Sequence, residues 1–218
     1  MHIPDGIISV SAAVGGYAVT GGMTWLSLHK IKKQYGNPRN VIPKAALLTA
    51  AFFVASLIHI PVPPVSVHLV LSGLMGVMLG WFAFPAVLVG LLLQAIMFQH
   101  GGLTTLGVNA CLMGLPALLA HRLFSLRRFF GLQKPLPNGL LAFLASFTAV
   151  VAGAMIAALL LIYVAPASAS FDAAAEKAAV LTLSLAHLPV ALLEGVFTAM
   201  VVLFLLRVQP ALLEVDPK

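Results

Sequence analysis

Residues 139–165 read GLLAFLASFTAVVAGAMIAALLLIYVA, an apolar run with no charged side chain in it. An α-helix crosses the hydrocarbon core of a bilayer with about 20 such residues, so the run reads as a membrane span. The rest of the chain has the same character. Of 218 residues, 61% are hydrophobic and 8% are charged, and the mean hydropathy is +1.07. An average soluble domain carries about 25% charged residues, and a water-soluble core could not cover this much apolar surface. No polar block is long enough to form a separate globular unit. The expectation is an all-α, polytopic transmembrane helix bundle in which residues 1–218 form a single domain.

Residues 6–28, 103–120 and 180–206 also reach or approach spanning length, and 45–60 is shorter. Residues 67–80 and 85–98 would each extend only about 21 Å as helices, so they read either as short spans or as a re-entrant hairpin. Both choices return the chain to the same side, which gives about seven segments and a fixed orientation. Lys30, Lys32, Lys33, Arg39 and Lys44 crowd the loop after the first segment, and Arg122, Arg127, Arg128 and Lys134 crowd another. Cationic loops stay cytoplasmic. Arg207 and Lys218 agree, whereas Lys177 beside Asp172 and Glu176 stands alone on the other side. The amino terminus is then outside, and the carboxyl terminus is cytoplasmic with a short tail at 208–218. The formal charge of +6 orients the chain, and no nucleic-acid partner is expected. Small residues four apart, at Ala12 and Gly16, at Ser72, Gly76 and Gly80, at Ala110 and Gly114, and at Gly153 and Ala157, predict close helix contacts. The single cysteine, Cys111, excludes an intrachain disulfide and a cysteine-based zinc site. With no cationic region before the first apolar run, Met1 is expected to be the mature terminus.

Topology sorts the seven histidines. His29 and His121 flank the cytoplasmic loops; His2, His59, His68 and His100 fall near the outer ends of segments; His187 lies about two turns into the last span. His2 has a distinct chemistry, because a free Met1 amine, the intervening amide nitrogen and the imidazole Nδ1 close five- and six-membered chelate rings. Deprotonating an amide favours metals that gain strongly from tetragonal nitrogen ligation: Cu(II), Ni(II) or Co(II), not Mg or Ca. Pro4-Asp5-Gly6 reads as a turn that folds residues 1–6 into the mouth of the bundle. His68, after the stiff Pro61-Val62-Pro63-Pro64, is the expected fourth nitrogen, and His59 is a weaker candidate. His100 reads as a neighbour of the ligands. Gln99, Thr104, Thr105 and Asn109 are candidate acceptors for the second N–H of a ligating ring. A carboxylate at Glu194 costs about 2.5–3.5 kcal/mol within a span, so it is expected to be protonated or paired, with His187 on the same helical face as a possible network partner.

Together these residues resemble the CbiM/NikM family, the cobalt/nickel substrate-capture subunits of energy-coupling factor (ECF) transporters. The resemblance rests on Met1-His2-Ile3-Pro4-Asp5-Gly6, on Ser66-Val67-His68-Leu69, on Phe98-Gln99-His100-Gly101-Gly102-Leu103-Thr104-Thr105-Leu106-Gly107, and on His187-Leu188-Pro189 followed by Glu194-Gly195. It implies a seven-helix bundle that binds metal through the Met1 nitrogen, the His2 nitrogens and His68. It also implies a transmembrane coupling subunit, two ABC-type ATPases and often a small accessory membrane subunit, in a bacterial or archaeal plasma membrane. The cobalt or nickel ion would be cargo, with no catalytic cofactor. The G-x-x-x-x-G-K-[ST] pattern is absent, so ATP hydrolysis is not assigned to this chain, and the absence of His-Glu-x-x-His argues against an intramembrane metalloenzyme. The rival is a self-sufficient metal channel or secondary transporter, which is expected to carry several intramembrane acids where this chain has Glu194.

Overall fold

The computed structural model describes residues 2–35, 37–62, 65–132, 134–164 and 173–213, the side chains of 59–67, 164, 173–177 and 179 excepted. The expectations placed on Met1, on Pro63-Pro64, on Asp172 and on the tail from 214 lie outside the described residues, as do those on the side chains of His59, Glu176 and Lys177. The helices are α1 (Val10–Tyr35), α2 (Ile42–Ala55), α3 (Ser72–Leu79), α4 (Ala83–Phe98), α5 (Leu106–Phe129), α6 (Pro135–Val164) and α7 (Ala173–Val208). Between α2 and α3, strand β1 (His59–Val62) pairs antiparallel with β2 (Val65–His68), His59 opposite His68 and Ile60 opposite Val67.

That hairpin takes the place of helix at the end of the segment expected over 45–60 and at the start of that over 67–80, and the fold is nearly all-helical. Pro61, Pro63 and Pro64 lack the N–H a helix needs and push the residue before each toward extended backbone. Val62, Val65 and Val67 suit a strand. The turn at Asp5-Gly6, with Gly6 at φ 83°, delays the first helix, expected from residue 6, until Val10.

Among the described residues, four stretches are long and apolar enough to cross a bilayer: Ser72–Phe98, Leu106–Phe129, Pro135–Tyr163 and Val180–Val208. The first does not run straight. Gly80 adopts φ 59° and ψ −126°, and a 3₁₀ turn, Gly80–Phe82, leads into α4. The imidazoles of His68, just before α3, and His100, just after α4, have centroids 5.3 Å apart. A straight helix would hold those ends about 40 Å apart, so α3 and α4 form a hairpin whose open ends share one face.

Every residue of α3 is buried. Helix α5 packs on α1, α3, α4 and α6 and forms the centre of the bundle. Glycine permits this closeness: a Cβ at Gly76 would strike the Ala117 carbonyl of α5, and one at Gly73 would strike Ser146 of α6. Where α1 crosses α5, Gly16 meets Val108 and Gly107 meets Tyr17, and the Thr20 hydroxyl donates to the Gly107 carbonyl at 2.7 Å. Outward, Leu144, Met155 and Leu159 of α6 and Leu185, Leu192 and Phe204 of α7 are exposed, which in a chain of this composition is a lipid-facing surface.

The two ends of α5 differ. At its Phe129 end, Arg127 donates to the Leu213 carbonyl at 2.6 Å and the Lys44 ammonium to the Leu212 carbonyl, so cations meet the carbonyls of the closing 3₁₀ turn, Pro210–Leu213. At its Leu106 end lie the histidines.

Candidate metal centre

The amino-terminal strap is held by its backbone. The Asn109 side chain accepts from the Ile3 N–H at 2.8 Å and donates to the Ile3 carbonyl at 3.0 Å, and the Thr105 hydroxyl donates to the same carbonyl at 2.7 Å. The Ile3 side chain is buried in the apolar core. Beyond the Pro4 turn, Asp5 Oδ1 accepts from the Thr104 N–H at 3.0 Å, from the Thr104 hydroxyl and from the Thr105 N–H at 3.3 Å. These donors sit just before α5, where a helix leaves its first N–H groups unpaired, so the carboxylate also serves as a cap. The Thr104 hydroxyl, aided by the backbone amides, holds the Asp5 carboxyl below the usual carboxylate range.

The strap carries His2 against His68 and His100, with ring centroids 4.8 Å and 4.5 Å away. One ring nitrogen from each of the three lies within 4.8 Å of the others. His2 Nε2 faces the Gln94 Oε1 at 2.8 Å and His68 Nδ1 faces the Leu69 carbonyl at 2.9 Å; both oxygens accept only, so both ring nitrogens donate. His2 Nδ1 and His68 Nε2 face each other at 3.0 Å, within hydrogen-bond reach. Donors about 2.0–2.1 Å from one transition-metal ion and at right angles to each other are spaced about 2.8–3.0 Å apart. Burial above all, and then nearby positive charge including His68 and His100, holds the His2 imidazole well below its ordinary value of 6.5, which keeps its lone pair available.

Sequence reasoning missed Gln94, the side chain that sets the His2 tautomer; it is wholly buried in α4. Its signal was a lone amide in the apolar run Leu91-Leu92-Leu93-Gln94-Ala95. Gln99 takes a left-handed backbone (φ 53°) at the end of α4 and lines the neighbouring cavity. Asn109 and Thr105 grip the strap's backbone at Ile3 and Thr104 its Asp5 carboxylate, not an imidazole N–H. Glu194 is buried, and its carboxylate accepts from the Val70 N–H and, at 2.9 Å, from the Leu71 N–H, so α7 fixes the loop that leaves His68. Leu71, at φ 51°, is strained for a branched side chain and is held there by this grip. The His187–Glu194 network is not formed: His187 Nδ1 donates to the Leu183 carbonyl at 2.8 Å on its own helix.

Fold and site together place the chain among multi-pass helical membrane proteins built round a part-buried cluster of nitrogen donors. Residues 2–212 match the CbiM family, described as the cobalt uptake substrate-specific transmembrane region, and the chain belongs to that family. A Haemophilus influenzae relative is 42% identical over 58% of this chain, a match that spans 59% of that relative's own length. The fused nickel transport protein NikMN of Rhodobacter capsulatus is 30% identical over 98% of this chain and 64% of its own length. The cobalt transport protein CbiM of Sorangium cellulosum is 28% identical over 98% and 95%. A crystal structure of a truncated transition metal transporter, 24% identical, covers 95% of this chain and 99% of that one with a TM-score of 0.75, a likeness of fold.

Proposed function

We propose that the chain is the substrate-capture subunit of an ECF-type importer and takes Co(II) or Ni(II) from outside the cell. The donor set is the Met1 amine, the His2 amide nitrogen, His2 Nδ1 and His68 Nε2. What carries this reading is the 3.0 Å approach of two imidazole nitrogens, His2 Nδ1 and His68 Nε2, whose other ring nitrogens meet Gln94 and the Leu69 carbonyl. The names of the family and of its cobalt and nickel relatives agree with these ions. In this reading about seven segments cross or enter the plasma membrane, with the strap outside and the carboxyl end cytoplasmic. The clasp of Lys44 and Arg127 on the closing turn, at the far end of α5 from the histidines, supports that polarity. A transmembrane coupling subunit, two ABC-type ATPases and a small accessory membrane subunit complete the importer, and the ATPases supply the energy.

Titration of Co(II) into the purified full chain tests the donor set. Residues added ahead of Met1 abolish tight binding while the thermal unfolding profile is kept. His68→Ala weakens binding far more than His121→Ala does. Tight binding retained in the extended chain overturns the terminal chelate, and equal losses in the two variants overturn His68 as a ligand.

A further inference from the structure

At the end of the bundle away from the histidines, charge gathers on one indole. Trp81 stands in the 3₁₀ turn between α3 and α4, with the Lys30 ammonium of α1 5.9 Å and the Arg122 guanidinium of α5 4.9 Å from its ring centre. The buried His121 imidazole packs edge-on against the same ring at 6.2 Å. Arg122 is about 24 Å along α5 from Leu106, most of the way across a hydrocarbon core of about 30 Å, so the ring lies near the depth where tryptophan meets headgroups. Both cations are exposed. Stacking occupies the face of a guanidinium and leaves its N–H edge to donate, and an ammonium keeps three donors. The described carboxylates, Asp5 and Glu194, are occupied at the histidine end, on Thr104 and on the Val70 and Leu71 amides. No described residue supplies an anion to balance the two cations.

An apolar groove of about 500 Å³ starts at the same turn. Phe82, which follows Trp81 in the chain, lines it opposite Ile42, and the lining ends at Leu93 of α4 and Phe53 of α2. The two helices run in the same direction, since Gly90 meets Thr49 and Phe52, and Phe98 meets Phe53. Positions 42 to 53 and 82 to 93 each rise about 16 Å, which is the depth of one leaflet of the core. Ala46, Ala50 and Ala86 keep the groove open. The Thr49 hydroxyl in its wall donates to the Ala45 carbonyl at 2.8 Å, so the walls present hydrocarbon.

We infer that one anionic phospholipid docks here, its phosphate on Lys30 and Arg122 beside Trp81 and one acyl chain along the groove between α2 and α4. Guanidinium and phosphate pair through two parallel N–H···O bonds, and the ammonium adds a further contact. A zwitterionic headgroup brings a cation of its own to this corner, so the anionic kind is favoured. A partner's transmembrane helix needs a groove that crosses the whole core, and this lining stops after one leaflet. In the polarity proposed above that leaflet is the cytoplasmic one, where anionic lipids are concentrated.

The chain has two tryptophans, so a Trp25→Phe chain reports by fluorescence from Trp81 alone. It is reconstituted in phosphatidylcholine vesicles, and lipid brominated near the headgroup end of its acyl chains is titrated in as the quencher. Brominated phosphatidylglycerol reaches half-maximal quenching at a mole fraction about tenfold below that of brominated phosphatidylcholine, the order expected for two cations at the membrane surface. Lys30→Gln with Arg122→Gln brings the two lipids level, whereas Lys32→Gln with Lys33→Gln, which removes as much charge from the end of α1, keeps most of the difference. Ala46→Phe fills the groove and weakens quenching by phosphatidylglycerol with the cations intact. Equal quenching by the two lipids in the Trp25→Phe chain overturns the inference, as does a difference that survives Lys30→Gln with Arg122→Gln or that falls as far in the control pair. Unchanged quenching in Ala46→Phe overturns the seat of the acyl chain. If the double variant does not fold, Lys30→Gln alone decides by a reduced or unreduced difference. A Trp81 that neither lipid quenches, in a chain that runs as a dimer, places a second copy on the groove and overturns the lipid.

Discussion

A ring nitrogen's role is decided by what its partner nitrogen does, and in this site Gln94 decides it for His2. Gln94→Leu removes the acceptor at His2 Nε2 and leaves the tautomer free, so affinity for Co(II) falls about 10- to 100-fold in a calorimetric titration. Stability changes little, because the acceptor lost by His2 is offset by removal of a buried Gln94 amide nitrogen that has no partner among the described residues. Acidification acts through the same ring. Its folded value is lowered, so its contribution to holding the strap is present above about 6.5, the unfolded value, and is lost as pH falls through the folded value below it. Metal binding therefore weakens on acidification, and most steeply well below pH 6.5 as the His2 ring protonates; affinity measured across pH shows this. His2 and His68 were legible in the sequence because a second-position histidine has a chelate chemistry of its own and Pro61 to Pro64 announce a stiff approach. Gln94 was not, since its function depends on α4 returning to the face it left, which composition does not reveal.

Among the elements, α3 tolerates least. Gly76→Ala drives a methyl group into the Ala117 carbonyl, a backbone atom that cannot rotate away, and lowers stability by about 1–3 kcal/mol. Gly15→Ala, with nothing within 4 Å of the new Cβ, raises stability by about 0.5–1 kcal/mol through the helix preference of alanine. Thermal unfolding of the two variants in detergent separates the cases. The small-residue spacing had marked Gly16, Gly76 and Gly114 for close contact, and each meets a neighbouring helix. The long helices α5, α6 and α7 were legible for an equally simple reason: apolar runs of spanning length have no competing structure. The β1–β2 hairpin was not, because a short apolar run does not separate strand from helix by periodicity, and the weight of its prolines was assigned to a linker.

For the whole molecule, the site is a junction of distant parts: the strap on α5, Gln94 on α4, and His68 on a loop that Glu194 of α7 grips by two backbone N–H groups. A shift of α7 against α3 therefore moves His68 without touching the strap, and we expect release to begin by withdrawing that one nitrogen. Glu194→Gln puts a donor amide where one N–H needs an acceptor and lowers Co(II) affinity about tenfold while the helical circular dichroism is retained. A metal-loaded, inward-facing structure with every metal–nitrogen bond intact would contradict this route. In vesicles, uptake that persists without the ATPases favours a self-sufficient transporter over the importer.

The bond between Ile3 and Asn109 spans 106 positions of sequence. At a synthesis rate of about 5–20 residues per second, the ribosome releases the strap roughly 5–20 s before its anchor exists. A nascent fragment that stops short of α5 thus owns the His2 and His68 imidazoles without the anchor that brings them together, and the proposed site assembles only once α5 has been made.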